Sequence, residues 1–491
     1  MRWSDAVRLG SVLIVYLTLG TLYALYTPAW QSPDEPAHYN YVLHIVETGQ
    51  LPVLHPGDYP HAYLEEIKAA RFPPTLSIAP LRYESWQPPL YYLLAAPVYR
   101  ATDGSLLALR LFSLLPGAGV IGLAYAVASA VQPRQPAVAT AAAGFIAFLP
   151  MHLAVSASVN NDILAELLIA LIAWLVLRQV TAEIRGPRTL IPIGVLLGLG
   201  LVTKLTVYYT ALPLALLGLW WQSRWSRHLI RPAAAVLLPA LLIVCPWLAR
   251  NVALYGWPDL LGTVNHAAVV VGQLRTADYI AQVGWLAYLA RFATTTFHSF
   301  WGQFGWMAVP MEGRIYLCLA ILSALAVAGL VARWRFSRRP PVTTPSQHLT
   351  PRPPLHIRGE GEQVRLLLAL WLGLAVAGYL YYNVSFVQFQ GRYLFPGLIP
   401  IALLAVTGWR EVLARQHWRL AVGVVAGMTA LALVGGAPGR WALAIGGAMI
   451  AALVVRRGLP AAWDAWLWVL PLSGLAGLAG YTLFATVMPH L

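Results

Sequence analysis

Charged side chains make up only 11% of the 491 residues, where soluble chains carry about a quarter. That scarcity, set beside 59% hydrophobic residues, excludes a soluble globular enzyme and a disordered chain. Cysteine is nearly absent. Cys245 and Cys318 are the only two, both within apolar runs, so they read as small buried hydrophobes, not as a disulfide scaffold. No His/Cys spacing suggests zinc, and no Gly-rich nucleotide motif follows a strand, which argues against a nucleotide cofactor. Lysine is limited to Lys68 and Lys204, so the net charge of +14 rests on arginine.

What the chain has instead is apolar stretches of about 20 residues, each long enough to cross a bilayer. They are expected at 9–27, 106–131, 136–157, 162–180, 189–204, 206–222, 229–249, 313–332, 364–384, 393–409, 418–436, 440–455 and 463–487. The fold class is therefore an all-α polytopic membrane protein of about 13 transmembrane helices, within about two. Arginines gather in alternate connections: Arg2 and Arg8; Arg134; Arg178, Arg185 and Arg188; Arg224, Arg227 and Arg231; residues 333–339; Arg410, Arg415 and Arg419; Arg456 and Arg457. The positive-inside rule puts these loops and the N-terminus in the cytoplasm and the C-terminus outside. The basic balance is thus a topology signal and does not point to nucleic acid. The first span lacks a small-residue cleavage pattern and reads as a retained anchor.

Two segments on the external side, about 28–105 and 250–312, are too long to be simple connections. The first opens Ser32-Pro33-Asp34-Glu35-Pro36-Ala37-His38-Tyr39-Asn40-Tyr41 and continues as a helix to about Gly49. Two acids at a helix start can simply cap it and complement its dipole. Their place just beyond the first span also suits proton abstraction by a carboxylate partly shielded from water. Positions 35, 38, 39 and 42 share a helical face, so Glu35, His38 and Tyr39 are expected to line one pocket. The same segment holds Asp58, Glu65, Glu66, Glu84, Lys68, Arg71 and Arg82, and a short apolar stretch after Arg82 that suits an interfacial helix.

A second acidic site is Val159-Asn160-Asn161-Asp162 between the third and fourth spans, again a good helix cap. Glu166 follows one turn further in, and a carboxylate inside an apolar span is expensive enough to need a partner or a site. Asp34 and Asp162 are the pair on which a divalent metal would sit, if the chain uses one. Three cations fall on the same side: Lys204, Arg250, and Arg392 in Gln388-Phe389-Gln390-Gly391-Arg392-Tyr393. Any of them could anchor at the membrane edge, and together they suit a lipid phosphate, for which arginine is the usual bidentate ligand. The second long segment carries Asn265-His266, an amphipathic stretch at 279–299 and the aromatic run His298-Ser299-Phe300-Trp301-Gly302-Gln303-Phe304-Gly305-Trp306. Aromatic surfaces of this kind suit sugar stacking or an interfacial belt. Residues 336–363, rich in Pro, Arg and Gly, are expected to form a disordered cytoplasmic linker. It separates a catalytic module, 1–335, from C-terminal transmembrane helices, 364–491.

These motifs resemble the GT-C class of membrane glycosyltransferases, the superfamily of protein mannosyltransferases and aminoarabinose transferases. Pro33-Asp34-Glu35-Pro36-Ala37-His38-Tyr39 looks like the acidic pair that opens the family's first loop. Trp86-Gln87-Pro88-Pro89-Leu90-Tyr91-Tyr92 and Leu109-Arg110-Leu111-Phe112-Ser113 are similar to its Pro-Pro-Leu and Arg-Leu-x-Ser sequences. Trp301-Gly302-Gln303-Phe304-Gly305-Trp306 and Gln390-Gly391-Arg392-Tyr393 look like a bacterial branch. The resemblance runs over residues 1–220, continues to 410 as short motifs and is absent from the last three spans. It implies transfer of a hexosyl or pentosyl group from a polyprenyl-phosphate-linked donor to a lipid, glycan or protein acceptor. This would occur at the external face of a bacterial inner membrane. It implies Asp34 as the base, Glu35 as its neighbour and Asp162 as the second acid. Lys204, Arg250 and Arg392 are phosphate ligands on charge and side alone. A transporter or flippase of lipid-linked glycans is the alternative. It would be expected to show paired broken helices and a midplane site.

Overall fold

The computed structural model describes residues 3–181, 187–223, 230–337, 360–460 and 469–491. Most of the linker expected at 336–363 lies outside them, as do Arg185, Arg224 and Arg227. The described residues are helical apart from loops, a short hairpin of Gln303–Phe304 with Val309–Pro310, and an isolated bridge between Arg275 and Phe386. Ten of these helices are long and apolar enough to cross a membrane. An eleventh results if the bent pair Pro136–Ala147 and Pro150–Ser156 is one span. The count is lower than the 13 apolar stretches because two adjacent ones fall short. The stretch at 189–204 folds as the 11-residue helix Ile191–Leu201, about 17 Å long at ~1.5 Å per residue, against a hydrocarbon core of about 30 Å. The next, Thr206–Ser223, is diluted by Tyr208, Tyr209, Thr210 and Pro213.

Local sequence explains where the helices start and break. Ser105 caps Leu106–Val131 by accepting a hydrogen bond from the Ala108 amide at 3.3 Å. The 63° bend between Pro136–Ala147 and Pro150–Ser156 falls at Leu149. Pro150 forces that residue into extended backbone (φ −70°, ψ 115°). Helices Gly313–Ser337 and Leu398–Val412 meet backbone to backbone: a Cβ on Gly408 would lie 2.0 Å from the Ala326 carbonyl oxygen. Small residues permit this approach in a bilayer, where close packing substitutes for a hydrophobic driving force. Ile14, Leu242 and Val434 point outward into what is then a lipid-facing surface.

The first long loop folds as Glu35–Thr48, His61–Ala69 and Leu90–Ala101, and the second as Thr263–Val269, Thr276–Val283 and Trp285–Trp301. The amphipathic stretch of the second is broken at Gly284 (φ 79°). Beyond the break Trp285 and Leu286 are exposed while Tyr288 is buried. Aromatic packing seats the first loop on the spans. Tyr41 stacks on Tyr92 with centroids 3.7 Å apart, the Tyr91 hydroxyl lies 2.7 Å from Ser113 Oγ, and all three tyrosines share a core with Leu109, Val159 and Leu168. Burying a large aromatic contributes about 2–3 kcal/mol, so this cluster fixes where the Glu35–Thr48 helix begins.

Candidate active site

Asp34 precedes that helix in the left-handed region (φ 68°, ψ −7°), and its side chain makes no capping bond. A non-glycine residue in that region costs about 1–3 kcal/mol, although aspartate tolerates it better than most. The carboxylate is turned off the helix end instead. Oδ1 accepts from the Tyr83 hydroxyl at 3.1 Å, and Oδ2 accepts from Arg392 Nη2 at 3.0 Å. The aspartate side chain keeps 30% of its surface exposed.

Arg392 comes from the other end of the sequence, in the 3₁₀ turn Gly391–Gly397 that leads into Leu398–Val412. Gly391 is required there by a close approach: a Cβ would lie 2.4 Å from the Thr296 carbonyl oxygen and 2.5 Å from the Phe300 amide nitrogen. Its amide donates to Ser299 Oγ at 2.7 Å. The turn is thereby pinned to the helix Trp285–Trp301. Gln390 Oε1 accepts from Arg392 Nε at 2.7 Å and sets the guanidinium plane. The site thus draws on both sides of the division expected between a catalytic module and C-terminal helices.

Asp162 begins the helix Asp162–Val180, yet the cap is supplied by Asn160, whose Oδ1 accepts from the Asp162 amide at 2.9 Å. The Asp162 carboxylate is left for Lys204, whose Nζ lies 2.8 Å from Oδ1. Lys204 also donates to Asn161 Oδ1 at 2.8 Å. Asn161 in turn donates from Nδ2 to the Thr203 carbonyl oxygen at 3.1 Å and to Gln87 Oε1 at 3.3 Å. Two narrow crevices adjoin here, of about 10 and 20 Å³. They share Val155 and Arg392; Asp162 and Glu166 line the first, Ser32 and Pro33 the second.

His38 sits behind this set, with Nδ1 2.8 Å from the Tyr92 hydroxyl. Burial lowers its pKa to about 3, with Lys204 and Arg392 acting in the same direction and Asp34 and Asp162 against it. The imidazole is therefore neutral and feels all four charges at once. Glu84 is a carboxylate that motif reading did not single out. Its Oε2 has neither solvent nor a hydrogen-bond partner, and burial, reinforced by Asp34, raises its pKa to about 7. Arg82-Tyr83-Glu84-Ser85-Trp86 shows no periodicity that would have singled it out.

Three expected residues lie elsewhere. Glu35 is fully buried and bidentate to Arg110, at 2.8 Å to Nε and 2.6 Å to Nη2. The Val159 and Trp30 amides donate to it at 3.2 Å each. With no exposed surface, it ties the Asp34 turn to the second span and cannot itself meet a substrate. Arg110 also donates to the carbonyl oxygens of Ala24, Thr27 and Pro28, which accounts for the arginine of the Arg-Leu-x-Ser stretch. Tyr39 turns away and donates to the Gly104 carbonyl oxygen at 2.8 Å. The shared helical face therefore splits among Arg110, Tyr92 and Gly104 and does not line one pocket. Arg250 donates to the carbonyl oxygens of Pro52 and Leu51 at 2.6 and 3.2 Å and stacks on Trp247, away from both crevices. As for a metal, Arg392 already pairs with Asp34 and Lys204 with Asp162. Among the described residues no three His, Cys, Asp or Glu side chains gather to hold one.

Solved structures with a related course of chain include ArnT from Cupriavidus metallidurans bound to undecaprenyl phosphate. It shares 14% identity over 98% of this chain and 76% of that one, with a TM-score of 0.49. Its apo state gives 13% identity over 98% and 75%, also at 0.49. An Archaeoglobus fulgidus oligosaccharyltransferase tethered to an acceptor peptide gives 13% identity over 96% and 55%, at 0.40. No curated protein matches the sequence. Residues 86–249, about a third of the chain, do match the profile of the dolichyl-phosphate-mannose-protein mannosyltransferase family. Through that stretch the chain is similar to the GT-C class of membrane glycosyltransferases.

Proposed function

We propose that this chain is a glycosyltransferase that moves a sugar from a polyprenyl-phosphate-linked donor to a hydroxyl of a lipid, glycan or protein acceptor. The observation that carries the reading is the Asp34 carboxylate. It is held on a strained turn, free of capping duty, and paired with Arg392, which lines a crevice together with Asp162, the partner of Lys204. The family match over residues 86–249 supports it independently. Asp34 takes the proton of the acceptor hydroxyl, and the oxygen attacks the anomeric carbon in line. The bond from that carbon to the phosphate oxygen breaks, and the negative charge developing on the phosphate is met by Arg392 and Lys204. A phosphate arriving at Arg392 competes with Asp34 for the guanidinium and so frees the base as the donor binds. Asp162 and Asn161 hold Lys204 in place. Glu35 and Arg110 fix the turn, neutral His38 closes the rear of the site, and Tyr39 and Arg250 tie loops down. The basic loops orient the chain with its N-terminus in the cytoplasm and this site on the external face of the inner membrane.

The test is to incubate purified wild-type and Asp34→Asn protein with a panel of polyprenyl-phosphate sugars. Wild-type turnover with at least one donor and loss in the variant are expected. Equal turnover by the variant would remove Asp34 as the base, and no turnover with any donor would favour a transporter of lipid-linked glycans.

A further inference from the structure

The two long loops differ in what they show to their surroundings. The first exposes two large apolar side chains, Leu93 and Leu94, and the second exposes eight, more than a loop bathed in water keeps. The strongest part of that surface is the helix Trp285–Trp301, where Trp285, Leu286 and Leu289 are 65%, 84% and 53% exposed. Spacings of three and four put them on one face. The opposite face is apolar too, with Tyr288 buried and Phe292 stacked on Tyr379 at 5.6 Å. Arg291 is the one Asp, Glu, Lys or Arg among its 17 residues. A helix that is apolar all round needs cover on both sides, and protein covers only one.

Its contacts set its depth. The Tyr288 hydroxyl donates to the Asn383 carbonyl oxygen at 3.4 Å, and Thr296 Oγ1 lies 2.5 Å from the Tyr379 hydroxyl. From Tyr288 to Thr296 the helix advances ~12 Å, while its partners on the span Gly361–Ser385 step back only from Asn383 to Tyr379, ~6 Å at ~1.5 Å per residue. The helix therefore crosses the end of that span obliquely, level with its last two turns. At that level Tyr381 and Val384 of the same span are 79% and 73% exposed on its lipid-facing side, so Leu286 and Leu289 look out at the same depth. Arg275 and Arg291 are exposed beside them, with Asp278 between the two in sequence, a charged rim that suits headgroups. We propose that this face is seated in the leaflet on the site's side of the membrane, with Trp285 at headgroup level and Leu286 and Leu289 against acyl chains. The far end of the same helix pins the Arg392 turn, through Ser299 and the close approach of Gly391 to Thr296 and Phe300. The leaflet thereby holds Arg392 in place. This needs only a membrane around the spans and stands apart from the transfer reaction proposed above.

The experiment places a nitroxide on full-length protein in nanodiscs, at Leu286→Cys or Leu289→Cys in a Cys245→Ala, Cys318→Ala background. Paramagnetic resonance then reads each label's access to oxygen, which concentrates in lipid, and to a water-soluble nickel chelate. Ile14→Cys, exposed on the first span, gives the lipid reference, and Ala62→Cys, exposed on the first long loop, the water reference. Labels at 286 and 289 are expected to follow position 14, rich in oxygen and poor in nickel. Nickel access like that of position 62 would overturn the seating, and shielding from both reagents would overturn it by showing that protein covers the face. The hold on Arg392 is read by amide hydrogen exchange over residues 388–393. Leu286→Glu with Leu289→Glu is expected to speed that exchange about tenfold, the order of one lost hydrogen bond, and to leave the helix Glu35–Thr48 unchanged. Unchanged exchange at 388–393 in the folded variant would overturn the hold. The label sites are already exposed, so the resonance result stands alone should the double glutamate variant fail to fold.

Discussion

Asp34 and Glu35 are adjacent in the chain, carry the same charge and each pair with an arginine, yet they sit in opposite physical states. Glu35 and Arg110 are 0% and 4% exposed and bonded at nearly every polar atom. Asp34 and Arg392 are 30% and 8% exposed, and the aspartate backbone is strained. A saturated, dry ion pair holds structure, because neither partner can exchange its bonds without leaving a charge stranded. A half-open pair on a strained turn has room for a third party. The difference turns on one residue of chain: the left-handed φ of Asp34 sends its side chain to Tyr83 and Arg392, while Glu35, already helical, points back at the second span.

The comparison can be broken from either side. The largest effect is expected from Asp34→Asn, which should lower turnover by about 10²- to 10⁴-fold, the usual worth of a positioned base. It should cost less stability than the loss of Glu35, because asparagine still accepts from Arg392 and the Asp34 side chain is 30% exposed. Glu35→Ala should do the reverse. Leaving Arg110 buried and uncompensated costs about 3–5 kcal/mol, read as a fall in the thermal unfolding midpoint in detergent, with lipid-phosphate affinity of the folded fraction retained. A large stability loss for Asp34→Asn together with little for Glu35→Ala would reverse the two assignments.

Smaller changes sharpen the same contrast. Gly391→Ala drives a methyl into the Thr296–Phe300 backbone and should cost about 1–3 kcal/mol. It should also weaken lipid-phosphate binding by displacing Arg392, whereas Gly10→Ala, in open space, should do neither. A last contrast concerns pH. The pKa of Glu84 is raised from 4.5 to about 7 in the folded protein, so the fold holds this proton where the unfolded chain has released it. Its contribution to stability is fully present below pH 4.5. It is lost as pH rises through about 7. Glu84→Gln should flatten the unfolding midpoint across that window, and an unchanged slope would remove Glu84 as its source.

The charges that converge were legible in the sequence because the chain has so few of them. Asp34, Asp162, Lys204 and Arg392 stand out against apolar neighbours, and loop alternation places them on one side. Glu84 was not legible, since an acid in an irregular loop looks like any solvated acid until its surroundings are known. Tyr39 and Arg250 erred in the other direction. Helical periodicity states which residues share a face, but that face meets Arg110, Tyr92 and Gly104 at successive positions, so its members part company. The two stretches at 189–204 and 206–222 read as full spans because an apolar run does not report where a helix ends, as at Leu201, nor how far polar residues such as Tyr208 and Thr210 dilute it.

The amino-acid sequence by itself determined the class of molecule. Apolar runs of bilayer length and a shortage of charge leave the chain no soluble alternative, since burying so much apolar surface needs lipid around it. It also determined where the rare charges lie along the chain. Only the tertiary structure decided which of them meet. Arg392 reaches Asp34 across 358 positions of sequence, through a glycine turn seated on another helix. Whether a carboxylate is saturated and dry, like Glu35, or half-open, like Asp34, depends on packing that no local pattern encodes.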